Sequence, residues 1–258
     1  MPTTVLPVKH TAREAAKAGG VVPAVAVAAG QARVTAANEQ AATGSAVAID
    51  VAAPADKARP QEAVAVEARK GFDLVWVGIE PITDAAGEID KDVGALVAGF
   101  NGHASIVTAR GRLARGATSG PLRILLAVTG TAFSSRAAEI ALALAHASRG
   151  TLTALYVDPE RTLTRWRQNL TGPLRARRQG ESVLKEVVDL GIHFDIPVQT
   201  RIQYTADAAQ AILNELKGAS YELVVMGVTP RSGETLYFGP VPSAVLQKAP
   251  ESVLLVAT

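Results

Sequence analysis

Unbroken runs of Val, Leu and Ile at 123–128, 151–157, 222–228 and 252–257 suit strands buried on both faces, and a further strand is predicted over 198–204. Between them apolar residues recur at helical spacing over 134–148, 206–217 and 243–249, while 158–197 reads as long, polar and partly helical. Strands separated by helices call for right-handed crossovers and a parallel sheet, so this half is predicted to be a doubly wound α/β domain.

The pattern occurs twice. Residues 72–81 (FDLVWVGIEP) match 221–230 (YELVVMGVTP) without gaps, placing Gly78 on Gly227, and each copy leads through a loop and a short helix (90–98 in the first) to a closing apolar strand, 105–109 or 252–257. Upstream, 5–8 resembles the opening strand 125–128, and 33–36 (RVTA) resembles 151–154 (TLTA). The first copy has a much shorter connection after its second strand, and Gly19, Gly20 and Pro23 break its alanine-rich opening helix over 12–30. Pro23 suits the first turn of a new helical segment. The Gly- and Arg-rich stretch 109–121 reads as a linker. The prediction is therefore two tandem doubly wound parallel-sheet, Rossmann-like domains: a degenerate one over 1–110, a linker over 111–120, and a fuller one over 121–258. Each closing strand would be an exposed edge if its half stood alone, and pairing the two removes both edges.

Composition narrows function by exclusion. Lys plus Arg number 26 against 24 Asp plus Glu, so bulk charge points to no partner. With no cysteine, disulfides, thiolate catalysis and Cys-ligated zinc are excluded, and the 4 histidines show no metal-ligand spacing, so no metal is predicted. The start lacks signal-peptide character and no apolar run approaches ~18 residues, which predicts a cytoplasmic chain without a membrane span. No P-loop, GxGxxG or GxSxG is present, and no nucleophile and base are arranged together, so enzymatic activity is not expected.

In doubly wound sheets ligands sit beyond the carboxyl ends of the strands. The second half offers two loops there: Thr129-Gly130-Thr131 after its first strand, and the glycine-bearing 227–241, with Arg231 as counter-charge for an anion and Glu234 against it. The same glycines also read as turn and helix-start residues. This arrangement, with the opening strand 124–128, the strand ending Tyr156-Val157-Asp158, and the glycine loop before the last helix and strand, resembles the universal stress protein family over essentially all of 121–258. A weaker copy covers much of 1–110.

The resemblance implies an adenine-nucleotide site, for ATP or AMP, at Thr129, Gly130, Val157, Met226, Gly227, Arg231, Gly233, Gly239 and Val241. ATP-binding members carry Gly-x2-Gly-x9-Gly-(Ser/Thr) and an aspartate ending the first strand. Here Thr129 replaces the aspartate, Pro230 the second glycine and Pro240 the hydroxyl residue, and eight residues stand in the place of nine. Each proline deletes a donor, so ATP affinity should suffer. The loop 231–239 (RSGETLYFG) is similar to the cytoplasmic stress-protein-like tails of bacterial cation/proton antiporters, which implies a regulatory module serving a membrane transporter domain. In the first half Glu80, Asp84, Glu88, Asp90 and Asp92 face only Lys91, which would repel a polyphosphate. Family members commonly associate through the last strand, which implies an internal pseudo-dimer of the two halves and leaves room for a homodimer.

Between Glu160 and Glu181 stand Arg161, Arg165, Arg167, Arg175, Arg177 and Arg178 with no acidic residue, beside Leu163, Trp166, Leu170 and Leu174. The stretch is a candidate dock for an anionic membrane surface or acidic partner, or a solvated face over the sheet, with Gly172-Pro173 expected to interrupt it. One aromatic among the arginines is a thin stacking platform, so nucleic acid is not an expected partner.

Overall fold

The computed structural model describes residues 3–9, 25–29, 48–49, 74–79, 97, 103–114, 120–158, 172–229 and 238–257. Its strands are β1 (Thr3–Lys9), β2 (Val25–Ala29), β3 (Ala48–Ile49), β4 (Leu74–Ile79), β5 (His103–Thr108), β6 (Arg123–Val128), β7 (Thr151–Asp158), β8 (Val198–Tyr204), β9 (Leu223–Val228) and β10 (Ser252–Ala257). Five helices are described: α1 (Gly111–Ala114), α2 (Ala132–Ser148), α3 (Gly172–His193), α4 (Ala208–Gly218) and α5 (Pro240–Lys248). The strands form one sheet in the order β3-β1-β2-β4-β5-β10-β9-β6-β7-β8.

From β10 to β8 every neighbouring pair is parallel. The chain steps outward from β6 through β7 to β8, then returns to lay β9 and β10 on the other side of β6. Right-handed crossovers in opposite directions put the helices on opposite faces. Ala137, Ala141, Val183 and Val187 of α2 and α3 pack on one face with Ile124, Leu126 and Val225. Ile212, Leu216, Val245 and Leu246 of α4 and α5 pack on the other with Leu125, Val224 and Leu255. Strands β6, β7, β9 and β10 are buried along nearly their whole length, as continuous apolar runs require. Only β8 departs from this, being an edge strand whose VQTRIQY is mostly exposed.

The closing strands pair as the edge argument predicts. β5 runs antiparallel to β10 with Val107 opposite Leu254. The repeat alignment puts Ile106 on Leu255, and these two residues face each other across the junction, so a local two-fold axis passes between a residue and its own counterpart. On either side the parallel registers coincide: Leu74 pairs with His103 as Leu223 pairs with Ser252, and Ile79 with Thr108 as Val228 with Ala257. Val77, Val97, Ala104 and Ile106 join the same buried cluster as Phe238, Val245 and Leu255, so the core runs through the junction.

Farther out the expected equivalence fails. The strand beside β4 and parallel to it, in the place β6 holds beside β9, is β2, not the segment around 5–8. β1 lies one position outward and runs antiparallel to β2, and the two-residue β3 is antiparallel to β1. Part of the stretch read as an opening helix is thus a strand. Val25-Ala-Val-Ala-Ala29 alternates β-branched and small residues, which favours extended backbone, and Gly19, Gly20 and Pro23 disfavour the helix a parallel crossover would need. Pro23, residues 33–36 and the acidic loop at Glu80, Asp84, Glu88, Asp90 and Asp92 lie outside the described residues.

Two helix starts bear on the expectations. Gly172-Pro173 opens the described part of α3, while 159–171 lie outside the described residues, and α5 begins at Pro240, ahead of residue 243. Both follow from the tolerance of a helix's first turn for a residue that lacks an N–H. No described helix is long and apolar enough to cross a membrane.

Candidate functional site

The order of strands reverses between β6 and β9, and Ala127 lies opposite Met226 there, so Thr129 and Gly130 leave the sheet beside Gly227. That is the switch point where a doubly wound sheet opens a crevice. The first turn of α2 begins in it. Thr131 is the N-cap, accepting from the Ser134 N–H at 3.3 Å, and the buried Ser134 hydroxyl accepts from the Thr129 N–H at 3.1 Å. Thr129 Oγ1 lies 3.1 Å from Thr131 Oγ1, so the predicted departure from aspartate leaves a neutral hydroxyl pair. This capping leaves the N–H groups of Ala132 and Phe133 as the donors α2 turns toward the crevice.

Two predicted glycines are explained by packing. A Cβ on Gly227 would lie 2.2 Å from the Phe133 carbonyl oxygen, because the first turn of α2 rests directly on β9. Gly130 has φ +75°, and a Cβ there would meet Val183 Cγ2 at 2.5 Å, so α3 closes on this turn. Both glycines therefore hold the helix whose N-terminus faces the crevice.

On the opposite face Val157 and Val241 pack against the cluster that contains Met226, and Phe238, also buried, joins them. Gly239 caps α5 at φ +104°, ψ 170°, a conformation essentially closed to other residues, and makes no side-chain capping bond. With Pro240 and Pro242 in the first turn, Val241 is the single residue among the first three of α5 that has an N–H. The predicted set thus divides: Thr129, Gly130 and Gly227 lie at the α2 side, Val157, Met226, Gly239 and Val241 at the α5 side, and Arg231 and Gly233 lie outside the described residues. Among the described residues the backbone donors at these two helix starts are those of Ala132, Phe133, Gly239 and Val241.

Sequence reasoning placed Thr131 in the loop but missed its role as the cap, and it missed Ser134, which shapes the turn; a Thr three residues before a Ser at the start of an apolar periodic run is the legible signal. It also missed a groove of about 290 Å³ between α2 and α3, lined by Ser134, Ser135, Val183, Glu186 and Leu190 and sharing only Gly130 with the predicted residues. Residues of two helices line it, a match invisible before the helices are placed. Of the basic stretch, Arg161, Arg165 and Arg167 lie outside the described residues. The side chains of Arg175 and Arg177 do too, and Arg178 is exposed on α3. Among the described residues no group of three or more His, Cys, Asp or Glu is placed to hold a metal ion.

Among the described residues, the titratable groups with shifted pKa sit at the far edge of the sheet, where β9 and β10 begin. Burial, together with the hydrogen bond to Glu215, pushes the Tyr221 hydroxyl up. Burial alone would raise Glu222, but its bonds from Arg123, at 2.7 Å from the backbone N–H and 3.1 Å from Nη2, bring it below the ordinary carboxylate value. Burial raises Glu251 and lowers Arg110, each opposed by the charge of the other.

The sequence model of the universal stress protein family matches residues 122–257. A Burkholderia pseudomallei protein of that family is similar at 25% identity, with a TM-score of 0.36 over 41% of this chain and 80% of its own. A Pseudomonas aeruginosa UCBPP-PA14 structure placed among the universal stress proteins is 18% identical, with a TM-score of 0.52 over 79% of this chain and 69% of its own. A universal stress protein in complex with cAMP is 19% identical, with a TM-score of 0.42 over 53% of this chain and 97% of its own. No curated protein matches the chain.

Proposed function

The chain belongs to the universal stress protein family, a stress-response domain occupying its second half, and from that premise we propose that it is a non-catalytic regulatory module that senses an adenine nucleotide. In this reading the chain is a tandem of two such units docked as an internal pseudo-dimer, with the first unit a structural partner and the second carrying the site. The observation that supports it is the switch point between β6 and β9, from which α2 starts on one face of the sheet while α5, after β9, starts on the other. Ala132, Phe133, Gly239 and Val241 would offer backbone donors to phosphate, Val157 and Met226 an apolar wall to the base, and Arg231 a counter-charge. Calorimetry with AMP and ATP tests this: binding that Arg231→Ala abolishes is expected, with AMP at least as tight as ATP. Turnover of ATP would refute the non-catalytic part.

The prolines at 240 and 242 favour a second reading, in which the pocket is vestigial and the molecule acts only through protein contacts. No binding at millimolar nucleotide would select it. The loop 231–239 supports the further proposal that the module works on the cytoplasmic side of a cation/proton antiporter. An unchanged pH midpoint of antiport on adding the chain to everted vesicles would discard that proposal.

A further inference from the structure

We propose that Arg110 fixes the position of α5 from the first half of the chain, and so holds in place the helix that carries Gly239 and Val241 to the candidate site. The consequence for ligand binding rests on the nucleotide reading above; the mechanical part does not.

Arg110 follows β5 by two residues and grips the corner between α5 and β10. Its N–H donates to Ser252 Oγ at 2.9 Å, and that hydroxyl donates back to the Arg110 carbonyl at 3.1 Å. Its guanidinium donates from Nη1 to the Ala249 carbonyl and from Nη2 to the Leu246 carbonyl. The second bond fills a gap the sequence creates. In a continuing helix the Leu246 carbonyl would accept from the residue four positions on, which is Pro250 and has no N–H. An outside donor is needed, and a cation is the favourable one at a helix C-terminus.

Apart from the packing of Val245 and Leu246 in the core, α5 has few polar bonds to set its place. It is 9 residues long, its N-cap makes no side-chain bond, and two of its first three residues are prolines. A helix of that length spans roughly 13 Å, so a shift at its C-terminal carbonyls is delivered to Val241 as a rigid displacement. Arg110 belongs to the segment joined to the first half, so the pairing of β5 with β10 and the setting of α5 form one mechanical unit.

Hydrogen–deuterium exchange on the full chain tests this, comparing the native protein with Arg110→Ala and Arg110→Lys and with AMP affinity measured alongside. Amides at 243–249 should exchange at least tenfold faster in Arg110→Ala while α2 is unchanged. The Lys variant should be intermediate, since it keeps the charge but not the two-pronged fork, and AMP affinity should fall in the same order. Unchanged exchange in α5, or an equal rise in α2 and α4, overturns the proposal. If α5 loosens while AMP affinity stays constant, the link to the site is overturned. If the native chain takes no AMP, the nucleotide reading fails by itself and α5 exchange still decides the assignment. Should Arg110→Ala not fold, the Lys variant carries the comparison.

Discussion

Beside the junction the two halves are matched residue for residue, and away from it they part. β4 and β5 repeat the register of β9 and β10, whereas beyond them one half continues with parallel strands and the other adds a parallel β2 and then turns antiparallel with β1 and a two-residue β3. The matched strands share the buried clusters that run through both halves, where a one-residue slip would carry every apolar side chain to the wrong face. Register is held where two-sided burial demands it. The outer strands of the first half carry no such demand from the second half, which has its own α2 and α3 over β6 and β7. The proposal that one half carries the site and the other serves as scaffold draws on this difference.

The comparison is broken most severely at its axis. Leu255→Asp places a charge in a fully buried position opposite Ile106, and an unpaired buried charge costs about 3–5 kcal/mol, enough to unfold the junction in a denaturant titration. Leu255→Ala should cost about 2–5 kcal/mol and leave a folded chain for exchange studies.

The next contrast is between counterparts. Gly227→Ala forces β9 against the backbone of α2 and should lose about 3 kcal/mol or more, because backbone yields less than a side chain. Gly78→Ala, at the matching position of β4, is the counterpart to measure, and an equal loss would mean that the first half has a backbone seated there too. Thr131→Ala removes the α2 cap and should cost about 1 kcal/mol, with loss of exchange protection confined to the first turn.

The smallest effect is a pH dependence. Glu222 has its carboxyl held below the ordinary value in the folded chain, so its stabilisation is complete above the unfolded pKa and disappears as pH falls through the folded one. Glu222→Gln should flatten that acid limb of stability by about 1 kcal/mol or less, given the exposed Arg123 partner. An unchanged acid limb would show that Arg123 does not hold this carboxylate in solution.

Much of the second half is legible because most of its strands are apolar without interruption: β6, β8 and β10 all fall where the sequence predicts them, to the residue. Pairing of β5 with β10 follows from the need to cover two edges. β2 was hidden because its alanines favour helix while its valines favour strand, and tertiary pairing decides between them. At the site, the positions of Thr129, Gly130 and Gly227 were readable from loop chemistry, but their packing against Ser134, Val183 and Phe133 was not. Arg110 was unreadable in the same way: Pro250 leaves a carbonyl wanting a donor, and only the folded junction brings Arg110 to it.

The division of labour between the halves is tested most directly by the stoichiometry of AMP binding to the full chain in a calorimetric titration. One site per chain is the predicted result. Two sites would show that the first half binds as well, and none at millimolar AMP would contradict the nucleotide-sensing reading outright.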